Sequence, residues 1–108
     1  MSYNIISIPP FEKQLKRLSK KYETLKIEFA QFIDSIEENP FQGTALANSC
    51  YKIRLSIKSK GKGKRGGARI IIYVVISEQE VFLLTIYDKS EQNNISNKEL
   101  KDLLRFLE

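Results

Sequence analysis

The first third of the chain has the apolar spacing of helices. Residues 3 to 8 form an isoleucine-rich run that ends at Pro9-Pro10, which predicts a short strand followed by a helix with proline in its first turn. Thr24 is the expected N-cap of a second helix, and Asn39-Pro40 ends it. The two segments predict a helical hairpin with one apolar stripe, which contains Phe11, Leu15, Leu18, Tyr22, Leu25, Phe29, Phe32, Ile33 and Ile36.

Three later segments have the pattern of strands. Ile53, Leu55 and Ile57 alternate with polar residues between Lys52 and Lys58, which predicts a strand with one buried and one cationic face. Residues 70 to 76 and 81 to 86 are apolar almost throughout, which is typical of central strands. Turn-forming residues at 59 to 67 and at 77 to 80 separate the three runs, so we expect an antiparallel meander.

The remaining segments complete an α+β fold. Residues 40 to 49 are predicted to form a loop that tucks Phe41 and Leu46 under the sheet. Ser96 and Glu99 have the spacing of a capping box, and leucines at helical spacing follow them. The prediction is one domain over residues 1 to 108, in which an N-terminal strand and a helical hairpin pack on a small antiparallel sheet with a short C-terminal helix.

Charge is distributed unevenly along the chain. The formal net charge is +5, from 18 basic and 13 acidic residues. No acidic residue lies between Lys52 and Arg69, whereas the rest of the chain is mildly acidic. This basic band is typical of a protein that meets a nucleic acid or an acidic protein, and it contains Lys52, Arg54, Lys58, Lys60, Lys62, Lys64, Arg65 and Arg69.

Composition also narrows the chemistry that we expect. The chain has no histidine and one cysteine, Cys50, which argues against the usual zinc sites and Ser-His-Asp triads. Gly61 to Gly66 match G-x-G-x-x-G, but a strand follows where a dinucleotide site needs a helix. The N-terminus lacks the features of a signal peptide and no apolar run has transmembrane length, so we expect a cytoplasmic protein without a membrane partner.

Three segments carry a resemblance to a known family. They are Tyr51-Lys-Ile-Arg-Leu, Gly63-Lys-Arg-Gly-Gly-Ala-Arg69-Ile and Leu83-Leu-Thr-Ile-Tyr-Asp-Lys-Ser-Glu91. With the helical hairpin and the closing helix, they are similar to the RelE/HigB-like branch of the RelE/ParE toxins of type II toxin–antitoxin systems. The resemblance implies an endoribonuclease (an mRNA interferase) that cuts messenger RNA in the ribosomal A site and is neutralised by a cognate antitoxin.

Residue roles follow from the same resemblance. It implies that Lys52 is a general base, that Arg54 occupies a second basic position and that Arg69 contacts the scissile phosphate. Lys89 stands where the family often has arginine. Ile95 stands where RelE has a functional tyrosine. Either Tyr87 substitutes for it, with its ring available for base stacking, or the chemistry runs without this group.

The expected chemistry needs no metal or cofactor, because the 2′-hydroxyl of RNA is itself the nucleophile. A lysine acts as base when neighbouring cations favour its neutral form, and arginine suits a charged transition state. The basic turn would add RNA affinity through Lys58, Lys60, Lys62, Lys64 and Arg65. Two alternatives stay open, a ParE-like toxin that binds DNA gyrase and a basic module that binds RNA without cutting it.

Overall fold

A computed structural model of the protein describes residues 2–60 and 66–108. Lys62, Lys64 and Arg65, predicted from the sequence to bind RNA, lie outside the described residues. The elements, in chain order, are β1 (Asn4–Ser7), α1 (Pro9–Lys21), α2 (Leu25–Glu38), β2 (Thr44–Ala45), β3 (Cys50–Leu55), β4 (Ala68–Val75), β5 (Glu80–Asp88) and α3 (Asn97–Leu104).

All five strands form one sheet in the order β1-β5-β4-β3-β2. The predicted α+β class and the antiparallel meander of β3, β4 and β5 are confirmed. β1 pairs in parallel with β5, so the sheet is mixed rather than wholly antiparallel. β2 lies within the segment predicted as a loop. A short apolar run carries no signal for the direction in which it pairs, which is why the sequence pattern did not predict the parallel edge.

The sheet lies between two layers of helix. The α1–α2 hairpin covers one face, where Phe11, Leu18 and Leu25 are fully buried in the core. α3 covers part of the other face through Leu100, which is also buried. We call this second face the cationic face; register and alternation give it Lys52 and Arg54 from β3, Arg69, Ile71 and Tyr73 from β4, and Thr85 and Tyr87 from β5.

A β-bulge interrupts the pairing of β4 with β5. Ile71 pairs with Thr85 but Ile72 pairs with Leu83, so Leu84 is the extra residue on β5. The irregularity lets Leu83 and Leu84 both be buried, although they are consecutive. A bulge bends its strand and changes where side chains point, and here it lies directly before the end of β5 that carries Thr85 and Tyr87.

The helix ends match the sequence patterns with one exception. Pro9 and Pro10 occupy the first turn of α1, and the capping box between Ser96 and Glu99 is present at α3. Thr24 occupies the N-cap position of α2 but makes no capping bond, so the expected cap is wrong. Its hydroxyl instead donates to Glu28 Oε1 at 3.1 Å and pairs with Ser59 across the domain.

Two edges of the predicted sheet also differ. β3 ends at Leu55, and the N–H of Lys58 donates to Glu28 Oε2 at 2.6 Å instead of to β4. Phe41 is 45% exposed instead of lying under the sheet, and its ring packs edge-on against Tyr51 at the margin, whereas Leu46 is half-buried against the core. Cys50, at the start of β3, is buried, and burial raises the pKa of its thiol to about 11.

Candidate nucleic-acid site

Three functional candidates form a row across the cationic face. Arg54 of β3 pairs with Arg69 of β4, and Arg69 pairs with Tyr87 of β5. Directly opposed residues in antiparallel strands have Cα atoms about 4.5–5.5 Å apart, so the three side chains are neighbours. The sheet register therefore brings together residues that lie 33 positions apart in the chain.

The row opposes two positive charges. Arg54 is exposed, whereas Arg69 is 5% exposed and its Nη1 donates to the carbonyl of Ala68 at 3.1 Å. Burial lowers the pKa of Arg69, and the charge of Arg54 lowers it further. Like charges directly opposed in a sheet are destabilising, and an anion that contacts both guanidinium groups would offset this cost.

Tyr87 adds an unsatisfied polar group to the row. The side chain is 5% exposed, and its hydroxyl is buried without a hydrogen-bond partner among the described residues. Burial raises the pKa of Tyr87, which keeps the hydroxyl protonated. The ring is covered and has no free face for a base, so Tyr87 offers a hydrogen-bond donor rather than a stacking surface.

Two lysines flank the row. Lys52 lies two residues before Arg54 on the same face, and its Nζ is 3.5 Å from Asn94 Oδ1. Lys89 follows β5, and its Nζ donates to the carbonyl of Asn93 at 3.0 Å and to the side-chain oxygen of the same residue. The polar segment after β5 therefore reaches both ammonium groups.

The described lysines of the basic turn and two further tyrosines of the sheet are dispersed. Lys58 is exposed in a short 3₁₀ turn, Lys58–Lys60, as the basic-turn prediction requires. The Lys60 side chain is only 6% exposed and forms an ion pair with Asp88, so its ammonium is not displayed at the surface. Tyr73 is half-buried against Phe82, with ring centroids 6.2 Å apart, and Tyr51 lies on the opposite face from the cations.

Sequence reasoning missed a buried carboxylate at the end of β5. Asp88 is fully buried and accepts hydrogen bonds from Lys60, Tyr22, Lys21 and Ser90, which we call the Asp88 cluster. Burial by itself would raise the pKa of Asp88, but the bonds from Lys60, Ser90 and Tyr22 outweigh it and hold the pKa well below its usual range. The only signal in the sequence is a lone acid at the end of an apolar strand.

Ile95, which replaces the family tyrosine, is half-buried beside the cationic face. It lines a cleft of about 550 Å³ together with Thr85, Gln92 and Glu99. The aliphatic side chain packs against the core and offers no polar atom. The threonine hydroxyl at this cleft belongs to Thr85, and the hydroxyl of Tyr87 lies two residues farther along β5 on the same face.

The part of the chain that the structure describes contains neither a cluster of metal-ligating side chains nor a helix suited to a membrane. There, no three side chains of histidine, cysteine, aspartate or glutamate lie together in an arrangement that could hold a metal ion. Over the same residues, no helix combines the length and apolar character needed to span a membrane.

Solved structures of known toxins have a similar fold. A variant of the Escherichia coli toxin RelE in the free state matches with a TM-score of 0.61 and 17% identity, covering 97% of both chains. The toxin in the intact E. coli RelBE complex matches with a TM-score of 0.62 and 18% identity, covering 81% of this chain and 96% of the other. The RelBE2 complex of Mycobacterium tuberculosis matches with a TM-score of 0.57 and 12% identity, covering 82% of this chain and 99% of the other.

A family model gives the relationship at the level of sequence. The model for the RelE toxin of the RelE/RelB toxin–antitoxin system matches residues 11–107, which is nearly the whole chain. The matched region contains both helices of the hairpin, the meander and the row on the cationic face. The protein therefore belongs to the RelE toxin family of toxin–antitoxin systems.

Proposed function

We propose that this protein is an endoribonuclease that cuts messenger RNA on the ribosome and is held inactive by a cognate antitoxin. The observation that carries the proposal is the row of Arg54, Arg69 and Tyr87, where two opposed cations adjoin a buried hydroxyl. A phosphodiester fits this row, because it accepts hydrogen bonds from all three groups and offsets the repulsion between the arginines. Membership of the RelE family favours RNA as its source.

The proposed reaction uses the 2′-hydroxyl of the substrate. A base removes its proton, the 2′-oxygen bonds to phosphorus, and the bond from phosphorus to the 5′-oxygen breaks. An acid protonates the departing 5′-oxygen, which leaves a 2′,3′-cyclic phosphate on the upstream fragment. The protein must move two protons and stabilise the negative charge that builds on the phosphate oxygens.

The basic side chains of the cationic face divide these tasks. The amine of Lys52 accepts the proton of the 2′-hydroxyl, and Arg54 orients the attacking group. The guanidinium of Arg69 holds the scissile phosphate, for which its planar fork and permanent charge are suited. Lys89, at the end of β5, supplies a proton or a positive charge to the leaving oxygen.

Tyr87 has a different role from the one that the family resemblance suggested. Its covered ring favours hydrogen bonding over base stacking, so we assign its hydroxyl to a phosphate oxygen beside Arg69. This bond would satisfy the hydroxyl only when RNA is bound. The role also fits Ile95, which lacks the hydroxyl found at that position in RelE.

The basic turn adds affinity for RNA or for the ribosome. Lys58 is exposed there, and Lys62, Lys64 and Arg65 follow it in the sequence. Lys60 is left out of this set because its ammonium pairs with buried Asp88. The toxins of the matched RelBE structures are bound to antitoxins, and by analogy we expect an antitoxin with acidic segments to bind this chain in the cytoplasm.

Primer extension on total RNA after induction tests the proposal. Wild-type protein should produce new 5′ ends within translated messages, and Arg54→Ala should lower the cleavage rate on the order of 100-fold. Lys26→Ala is the matched control, because it also removes an exposed cation but lies on the helical hairpin. Arg54→Ala should keep its unfolding midpoint, since it removes one of two opposed like charges.

The same experiment separates the alternatives. Intact messages together with broken DNA would favour a toxin directed at gyrase. Intact messages that co-purify with the protein would favour a binding module without cleavage. Equal cleavage by wild type and Arg54→Ala would contradict the role of Arg54 in orienting the attacking group.

A further inference from the structure

The Asp88 cluster joins three separate parts of the chain at one buried carboxylate. Asp88 Oδ1 accepts from the N–H of Ser90 at 2.9 Å, from its hydroxyl at 2.7 Å and from the ammonium of Lys60. Asp88 Oδ2 accepts from the hydroxyl of Tyr22 and from Lys21 Nζ, the latter at 3.2 Å. Five donors on two oxygens saturate the carboxylate, so every direction around it is fixed by a contact.

Hydrogen bonds hold the backbone on both sides of Lys89. Its N–H donates to the carbonyl of Gly67 at 3.1 Å, and Lys60 Nζ donates to the same carbonyl at 3.3 Å. Gly67 lies close against the backbone of Leu55, because a Cβ there would lie 2.0 Å from the Leu55 carbonyl oxygen. The N–H on the other side of Lys89, that of Ser90, is held by Asp88 itself.

The position of Lys89 relative to the row depends on these backbone hydrogen bonds. Tyr87 lies on the cationic face and Asp88 on the hairpin face, and the chain leaves the sheet immediately after them. Lys89 is the first residue beyond the strand, so no ladder bond within the sheet fixes it. The backbone is held instead by the bond from the Lys89 N–H to the Gly67 carbonyl and by the bond from the Ser90 N–H to Asp88.

We propose that Asp88 is a positioning residue, whose buried carboxylate holds the turn after β5 and so fixes where Lys89 leaves the sheet next to Tyr87. The Lys89 ammonium donates to Asn93 in this structure and would exchange that partner for the phosphate when RNA binds. This inference rests on the proposed nuclease function. Asp88 does not touch RNA; it acts through the Ser90 N–H and hydroxyl, which shape the turn that carries Lys89. The Lys60 ion pair neutralises the carboxylate and joins the β3–β4 connection to the same point.

A merely stabilising ion pair would behave differently. A buried ion pair is often replaced by apolar side chains of similar size without loss of stability. If stability were the only role of Asp88, such a replacement would leave cleavage by the folded protein unchanged. If Asp88 positions Lys89, the replacement must slow cleavage even when the protein folds.

Two double variants make this distinction. Asp88→Leu with Lys60→Met removes both charges and the acceptor for Ser90, while Asp88→Asn with Lys60→Met removes both charges but keeps an acceptor oxygen. Tyr22 is only half-buried, so water replaces its lost bond in the leucine variant. The measurements are the cleavage rate at saturating protein in a translating extract, the protein concentration that gives half of that rate, and hydrogen exchange of the Lys89 amide.

The leucine variant should cut on the order of 10- to 100-fold more slowly at saturation, with an unchanged half-saturating concentration and faster exchange at the Lys89 amide. The asparagine variant should keep the wild-type rate within a few-fold and keep the amide protected. Wild-type cleavage by the leucine variant would overturn the proposal, and so would an equal loss in both variants. Slow cleavage with full protection of the amide would also overturn it.

A second pair of variants applies if the leucine variant does not fold. Ser90→Ala loses the hydroxyl donor to Asp88, whereas Ser90→Thr keeps it, and both change an exposed residue. Ser90→Ala should cut several-fold more slowly than Ser90→Thr, and equal rates would overturn the proposal. If wild-type protein cuts no message, the proposed function fails, but the exchange of the Lys89 amide still reports whether Asp88 holds this turn.

Discussion

Tyr87 and Asp88 are consecutive in β5, yet they lie on opposite faces of the sheet and differ in how far their polar atoms are satisfied. The carboxylate of Asp88 accepts bonds from four side chains and one backbone N–H. The hydroxyl of Tyr87 has no hydrogen-bond partner among the described residues and lies beside two opposed arginines. One strand end therefore carries both a saturated and an unsatisfied group.

The difference separates a surface that holds the fold from a surface that is ready for a ligand. Around Asp88, each buried charge has an opposite charge or a donor, which is the arrangement that lowers the free energy of the folded state. Around Tyr87, a buried hydroxyl has no partner among the described residues, and the opposition of Arg54 and Arg69 costs stability. Local violations of good packing chemistry are expected where a site binds or reacts.

The largest expected effect is a loss of stability when Asp88 is replaced. Asp88→Ala leaves the buried ammonium of Lys60 without its partner, so we expect the free energy of unfolding to fall by about 3–5 kcal/mol. Urea denaturation measures the change. Adding Lys60→Met to the variant should recover part of the loss, and an equal loss in both proteins would contradict the assignment of the cost to Lys60.

A change of pH should also change stability through Asp88. The folded pKa of Asp88 lies below its unfolded value, so its contribution is complete above about pH 5 and is lost as the pH falls through 4 and below. The gap in unfolding free energy between wild type and Asp88→Asn should therefore narrow on acidification, by at most about 1.4 kcal/mol per pH unit. A gap that stays constant between pH 6 and about pH 3 would argue against ionised Asp88 in the folded state.

Tyr87→Phe tests the Tyr87 hydroxyl, which has no hydrogen-bond partner among the described residues. Removing a buried hydroxyl without a partner should leave the unfolding midpoint unchanged or raise it, because its desolvation costs about 1–3 kcal/mol. Cleavage should fall by roughly tenfold if the hydroxyl donates to the phosphate. Tyr3→Phe is the control, since Tyr3 packs against Phe41 at the sheet margin. A large loss of stability without loss of cleavage would show that the hydroxyl stabilises the fold and does not contact the phosphate.

The smallest effect is expected at the rim of the Asp88 cluster. Glu91 pairs with Arg17 at 2.8 Å and with Lys21 at 3.1 Å, and all three side chains are more than one-third exposed. Solvent screens such pairs, so Glu91→Gln should change the unfolding midpoint by little more than the experimental error. Any loss should disappear in about 1 M salt. A loss of stability as large as that of Asp88→Ala would show that the exposed pairs of Glu91 stabilise the fold as much as the buried contacts of Asp88 do.

Sequence patterns predicted those parts of the fold that depend on local periodicity. Apolar spacing indicated α1, α2 and the three strands of the meander, and the spacing of Ser96 and Glu99 indicated the start of α3. The parallel direction of β1 and the edge strand β2 were not predicted, because both depend on pairing partners far away in the chain. The missing cap at Thr24 has the same cause, since its hydroxyl pairs with Ser59.

For the candidate site, the residue types, the basic band and the membership of the RelE family follow from the order of the amino acids. The row of Arg54, Arg69 and Tyr87 and the ion pair that removes Lys60 from the surface follow from the folded structure. Alternation assigns side chains to faces within one strand, but register across strands and the burial of an ion pair depend on contacts between distant segments. Physical neighbours such as Lys60 and Asp88 therefore become visible only when the chain is folded.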